Sequence, residues 1–309
     1  MRIDEAILQE VKKAVVGKDE VLRKILMVIL AKGHILLEDI PGVGKTTIAV
    51  AFSKAMSLDT RRIQFTVDVL PSDVVGFTTL DPDTGKVRLH PGAVFCNIFL
   101  ADEINRTSSK TQAALLEVME EGNITVDGFT EKAPQPFCVI ATQNPFGSAG
   151  TQLLPESQLD RFMVRMSIGY PSMKDEKDIL RRKSAHDPMQ DVRAVASKED
   201  VIAMQKEVEA VYVHDSLLDY MVALVSATRN HPEILQGASP RASISLLQVA
   251  KANAYLHERD YVVPRDIQEI LFDVIGHRIV LQSDVTSSHA QAVLNEILHE
   301  TPVPKAKEN

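Results

Sequence analysis

The stretch Leu36-Leu37-Glu38-Asp39-Ile40-Pro41-Gly42-Val43-Gly44-Lys45-Thr46-Thr47 constrains this chain more than any other. It reads as an apolar strand that breaks into a glycine turn, then a lysine and threonines that open a helix (Ile48-Ala49-Val50-Ala51-Phe52). Gly42 and Gly44 lack a β-carbon, so the backbone can curl with its N–H groups facing inward. The helix presents its positive end to the same point, an arrangement suited to a phosphate chain. Lys45 can reach the β- and γ-phosphates, and the Thr46 hydroxyl can sit on Mg²⁺. Against the pattern G-x-x-x-x-G-K-[ST] the first glycine is missing, and Asp39 stands in its place.

The chain has 309 residues, room for two domains and a well-buried core. Hydrophobic residues make up 45% of it, a globular composition. Its net charge of −8 makes nucleic acid an unfavoured partner, since duplex binders are usually basic. Cys96 and Cys138 each lie in an apolar run and read as buried thiols. The start, Met1-Arg2-Ile3-Asp4-Glu5-Ala6, carries acids where a secretory peptide needs an apolar core. The longest apolar run, Ile25 to Ala31, is too short to span a bilayer. The expectation is a soluble, cytoplasmic protein with no membrane partner.

Apolar residues at helical spacing predict helices over Ile3–Val15 and Val21–Ala31, with a break at Gly17. Strand-like runs at His34–Leu37, Arg62–Thr66, Asn97–Ala101 and Phe137–Thr142 then alternate with helices at Thr46–Met56 and Thr111–Glu121. The alternation predicts an α/β fold with a parallel sheet, and the continuous apolar runs are those of buried central strands. Two inserts interrupt it: a turn cluster at Asp81–Gly85, and Asn123–Thr130, a hairpin with an Asp-Gly turn. Beyond Tyr170-Pro171 the chain reads as helices without strands. Ser172 and Ser197 are candidate caps, and helices are predicted over His214–Thr228, Pro240–His257, Pro264–Leu281 and Ser287–His299. The expected division is 1–170, a linker at 171–187, an all-α domain at 188–301 and a loose tail at 302–309.

A phosphate loop alone licenses only binding. Hydrolysis also needs a metal, a water activator and a charge to neutralise the γ-phosphate. Ile98-Phe99-Leu100-Ala101-Asp102-Glu103 is an apolar strand ending in two acids, where open α/β sheets bind ligands. Asp102 would hold Mg²⁺ beside Thr46, and Glu103 would polarise the attacking water. Asn144, after the strand ending at Thr142, can hydrogen-bond that water or the γ-phosphate. Arg161, in Leu159-Asp160-Arg161-Phe162, is either an arginine finger or a surface arginine paired with Asp160. A finger offered to a neighbouring subunit can be worth about 10³-fold or more in rate. Ser239-Pro240-Arg241 opens a helix, with Ser239 as cap and Pro240 at its first position, so Arg241 emerges beside a positive helix end. The nine histidines form no H-E-x-x-H pair or Cys/His cluster, so no structural metal is expected.

In order along the chain, Val15–Lys18, Leu37–Thr46, Leu70–Asp73, Leu100–Arg106, Ala141–Pro145, Leu154–Phe162 and Ser239–Arg241 together resemble the MoxR family of AAA+ ATPases. The resemblance implies a P-loop sheet domain followed by a smaller all-α lid. It makes Lys45 and Thr46 Walker A, Asp102 and Glu103 Walker B, Asn144 sensor 1, Arg161 the finger in trans and Arg241 sensor 2. Pro41, Gly42, Val43, Gly44 and Thr47 would complete the cradle for ATP and Mg²⁺, and Val16 and Gly17 would border the adenine. Asp39 is a residue the family often carries. The resemblance further implies a ring, commonly a homo-hexamer, with chaperone-like action and a von Willebrand A-domain partner protein. Two other readings stay open: a nucleotide-dependent switch with negligible turnover, and a DNA-directed motor.

Overall fold

The computed structural model describes residues 1–39, 42–143, 154–282 and 287–304. Helices α1 (Ile3–Ala14) and α2 (Asp19–Leu30) flank Gly17, whose φ is +69°. The carboxylate of Asp175 packs against that glycine so closely that a Cβ there would lie 2.3 Å from Asp175 Cγ. The following elements are β1 (Ile35–Glu38), α3 (Lys45–Ala55), β2 (Thr60–Gln64), α4 (Pro71–Val75), β3 (Gly76–Leu80), β4 (Val87–Pro91), β5 (Ile98–Asp102), α5 (Ser109–Glu121), β6 (Asn123–Val126), β7 (Phe129–Lys132), β8 (Cys138–Gln143), α6 (Glu156–Leu159) and β9 (Val164–Met166).

Five strands form one sheet in the order β2-β5-β8-β1-β9. β2 pairs with β5, β5 with β8 and β8 with β1, all in parallel. Non-adjacent order requires helical crossovers, which cover both faces of the sheet. The sequence obeys: every residue of β8 is buried, as are Ile35–Leu37 and Ile98–Ala101. The carboxyl ends of β1, β5 and β8 therefore open on the same edge, with Glu38 level with Gln143.

His34 pins the start of β1. Its Nδ1 accepts from Val139 N at 3.0 Å, so Nε2 carries the proton and donates to Met119 O at 3.0 Å. Burial holds its pKa down to about 4. Cys96 and Cys138 are buried free thiols, and burial pushes each up to about 12.

Both inserts are antiparallel hairpins. In β3–β4 the turn is held by Asp81 Oδ1, which accepts from Thr84 N at 2.8 Å and Asp83 N at 3.1 Å. In β6–β7 Asp127 and Gly128 both have positive φ, the two-residue turn that matches strand twist. Thr78 Oγ1 donates to Asp127 Oδ2 at 2.7 Å and ties the hairpins together.

After β9 come α7 (Met173–Ala185), α8 (Lys198–Ala210), α9 (Asp215–Asn230), β10 (Ile234–Gln236), α10 (Pro240–Leu256), α11 (Pro264–Gln268), α12 (Leu271–Ile275), β11 (Val280–Leu281) and α13 (Ser287–Glu300). Ser172 and Ser197 cap as predicted, each accepting at 3.2 Å from the amide three residues on. Two expectations are corrected. The region beyond Tyr170 is not strand-free, since β10 and β11 pair antiparallel. The predicted helix Pro264–Leu281 is broken into α11, α12 and β11: the chain leaves the helix after Gln268 and again after Ile275, and its last residues pair with β10 as a strand.

The chain divides into two compact units: Met1–Leu154 with Met166–Ile202, and Pro155–Arg165 with Ala203–Asn309. The division differs from one drawn at residue 170. Arg182 donates to Lys13 O at 2.9 Å and Arg193 N to Glu10 at 2.9 Å, which fastens α7 and the turn after it to α1. Conversely, residues 155–165 belong with the helices because Asp160 and Arg165 bond to Arg278 and Gly276.

Candidate functional site

α3 begins at Lys45 with Gly44 as its N-cap, a residue with no side chain to cap the first amides. Gly42 and Gly44 have φ of +89° and +96°, and a Cβ at either would meet nothing within 4 Å. These glycines are thus required by backbone conformation and not by crowding. The result is a set of N–H donors at a positive helix end, open for an anion. Pro41 lies outside the described residues; Val43, Thr46 and Thr47 line the turn and first helical residues.

Lys45 is buried, and its Nζ donates to Asp39 O at 3.0 Å. Burial pulls its pKa below the ordinary lysine value, while the charges of Asp102, then Asp39 and Glu103, act in the opposite sense. Asp102, the last residue of β5, and Glu103 after it thus both favour the charged form of Lys45.

Asp102 and Glu103 are aligned by a residue that sequence reasoning overlooked. Thr142 Oγ1 donates to Asp102 Oδ1 at 2.6 Å and accepts from Glu103 N at 2.8 Å. One hydroxyl in β8 thus orients both acids. It was readable as the first of two polar residues, Thr142 and Gln143, that end an otherwise apolar run. Two arginines also went unnoticed. Arg62 Nη2 donates to Asp102 Oδ2 at 2.7 Å, and Arg106 Nη1 to Glu103 Oε2 at 2.6 Å. Glu103 itself adopts φ +55°, a left-handed conformation uncommon for its type that turns its side chain off the strand direction.

The donor set fits a magnesium nucleotide. Thr46 hydroxyl and Asp102 carboxylate are hard oxygen ligands, and each Asp102 oxygen retains a further acceptor site beyond its one bond. A cavity of about 220 Å³ adjoins the loop, lined by Ala14, Thr46, Thr47, Val50, Lys183 and Met189 among others. Val16 is half-buried and Gly17 exposed, with Lys18 Nζ bonded to Ile168 O and Tyr170 O at 2.8 Å each.

Asn144 lies outside the described residues. Arg161 and Arg241 belong to the second unit. Ser239 caps α10 by accepting from Arg241 N at 3.2 Å, and its hydroxyl donates to Asp160 Oδ2 at 2.9 Å. Arg278 Nε donates to Asp160 Oδ1 at 2.8 Å. Asp160 therefore fastens the segment carrying Arg161 to the helix start carrying Arg241.

Residues 34–164 match the model of the ATPase family associated with various cellular activities (AAA), and residues 226–297 match the AAA lid domain. The chain is 38% identical to Chaperone MoxR1 of Mycobacterium tuberculosis, over 97% of this chain and 82% of that protein. The chain belongs to the MoxR family of AAA+ ATPases. It is also 46% identical to the uncharacterized protein YeaC of Bacillus subtilis, over 96% of this chain and 93% of that one. A crystal structure of a candidate ATPase from Cytophaga hutchinsonii superposes with a TM-score of 0.89 at 39% identity, covering 97% of this chain and 94% of that chain. The MoxR-family fold, a P-loop AAA+ sheet domain and a helical lid, is thus the one the residues predict. Among the described residues no helix is long and apolar enough to cross a membrane.

Proposed function

We propose that this MoxR-family chain is a Mg²⁺-dependent ATP hydrolase that works as a ring, a homo-hexamer, and uses turnover to remodel or mature partner protein complexes. The observation that carries the reading is at the carboxyl edge of the sheet, where Lys45 Nζ bonds the Asp39 carbonyl just beyond β1 and Thr142 on the adjacent β8 bonds both the Asp102 carboxylate and the Glu103 amide. In this reading the amides of the Gly42–Thr46 turn bind the phosphates and Lys45 neutralises the β- and γ-oxygens. Thr46 and Asp102 hold the metal. The two protein oxygens would share the ion with the nucleotide phosphates and water, as is usual for Mg²⁺. Bound Mg²⁺ supplies neutralisation of the charge that develops on the transferred phosphoryl group. Glu103 orients the attacking water, with Asn144 as its companion. Arg161 serves the neighbouring subunit's site and Arg241 reads nucleotide state within its own chain. Val16 and Gly17 border the adenine. The supply of ATP makes the cytoplasm the place of action.

The partner surface in this reading is the pair of hairpins. Phe77, Leu80, Val87 and Phe129 are exposed there, and the Thr78–Asp127 bond holds the two hairpins as one body. A von Willebrand A-domain protein is the accessory partner that family membership supports.

The Arg106–Glu103 ion pair favours one further reading, a switch whose basal turnover is very slow. While Arg106 holds Oε2, the ion pair competes with water for the Glu103 carboxylate and lowers its basicity. The ring is tested by mixing. Arg161→Ala and Lys45→Ala are each expected to be inactive, the first with ATP binding retained, and the mixture is expected to regain part of the activity. No recovery at any ratio contradicts a site shared between subunits.

A further inference from the structure

We propose that Asp39, which stands where the phosphate-loop pattern calls for glycine, is a positioning residue that links occupancy of the loop to the segment between β9 and α7. The proposal rests on the nucleotide-binding reading above.

Every polar group of Asp39 is engaged. Its N–H donates to Gln143 O at 3.3 Å, so its backbone is fixed to β8. Its carbonyl accepts from Lys45 Nζ at 3.0 Å. Its carboxylate accepts three bonds from one short segment: Ser167 Oγ at 2.7 Å and Gly169 N at 3.0 Å on Oδ1, and Ile168 N at 2.6 Å on Oδ2. The residue is only 6% exposed. A buried carboxylate must be satisfied or it is expelled, and here 167–169 supplies its donors. A glycine could adopt the loop conformation but could make none of these three bonds.

The segment it holds leads directly into α7. Gly169 has φ +67°, followed by Tyr170, Pro171 and the cap Ser172. Lys18, next to Gly17, grips the same segment from the other side through Ile168 O and Tyr170 O. Asp39 therefore touches, at one end, the lysine that a phosphate would recruit and, at the other, the leader of α7. When Lys45 turns to a phosphate, the Asp39 carbonyl loses its donor. A polyanion also then faces the Asp39 carboxylate across the same lysine. Both changes act on one residue, and its carboxylate is what holds 167–169.

The test is amide hydrogen exchange at Ile168 and Gly169, with and without MgATP, together with steady-state kinetics, on the full chain. Asp39→Gly restores the loop pattern and removes the tie. It is expected to bind ATP within a few-fold of wild type and to exchange these two amides about tenfold or more faster, from loss of charge-assisted bonds. ATP is expected to change that exchange in wild type and not in the variant, with kcat reduced and KM little moved. Asp39→Asn keeps one acceptor oxygen and is expected to fall between the two, which guards against misfolding of the glycine variant. If wild type binds ATP but both variants show wild-type exchange and wild-type nucleotide response, the proposal is overturned and the nucleotide reading stands. If wild type does not bind ATP, both fall.

Discussion

Thr142 Oγ1 donates to Asp102 Oδ1 at 2.6 Å while accepting from the Glu103 amide at 2.8 Å. A single hydroxyl on the central strand thereby fixes the two acids on its neighbour. Replacing Thr142 by valine keeps the volume but leaves Asp102 and the Glu103 N–H without this partner. Phosphate release by Thr142→Val is expected to fall about 10- to 100-fold, the cost of one charge-assisted bond. Nucleotide affinity in the absence of Mg²⁺ is expected to change little. Wild-type kcat in the variant contradicts this role.

Acid should weaken the sheet domain through His34. The group has a folded pKa of about 4 against the ordinary 6.5, so the unfolded chain takes up a proton first as pH falls. Its stabilising contribution is present above pH 6.5 and is lost between 6.5 and 4. The full loss is about 3 kcal/mol. Denaturant melts of wild type and His34→Gln across that range check it. The variant is expected to show a correspondingly shallower pH dependence, and parallel curves contradict the assignment.

The second unit should depend on Arg278. Its guanidinium is buried and donates to Asp160 Oδ1, Phe162 O and Ser245 Oγ. Burial lowers its pKa, and the Asp160 charge opposes that shift. Arg278→Met leaves Asp160 Oδ1 and several carbonyls without their donor, with only Ser239 still on Asp160 Oδ2, at a cost of about 3 kcal/mol. Asp160→Asn keeps an acceptor and should cost less. Urea unfolding of both variants measures it; a loss under about 1 kcal/mol for Arg278→Met contradicts the role.

The parts of this molecule that were legible in its sequence are those whose signal is local. Apolar runs ending in Glu38-Asp39, Asp102-Glu103 and Gln143-Asn144 announce buried parallel strands, and Gly42-Val43-Gly44-Lys45-Thr46 announces the loop between the first strand and its helix. The Asp127-Gly128 turn is equally local. What escaped is set by partners far along the chain. Arg278, beyond the break in a predicted helix, bonds Asp160 and Phe162 more than a hundred residues away. Arg62 meets Asp102 only because β2 pairs with β5 in register, and no spacing in the sequence announces it. β10 and β11 are three and two residues long, too short for any periodic signal. That Asp39 departs from the glycine pattern is legible, but its bonds to residues 167–169 are not.

Glu103 is the group proposed to activate water in a magnesium nucleotide site. The direct measurement is steady-state phosphate release by wild type and Glu103→Gln, with ATP binding titrated in parallel. Wild type is expected to turn over with Mg²⁺ and to stop with EDTA, and the variant to bind ATP normally while losing about 100-fold or more in rate. Equal rates in the two proteins, with binding intact in both, would contradict it.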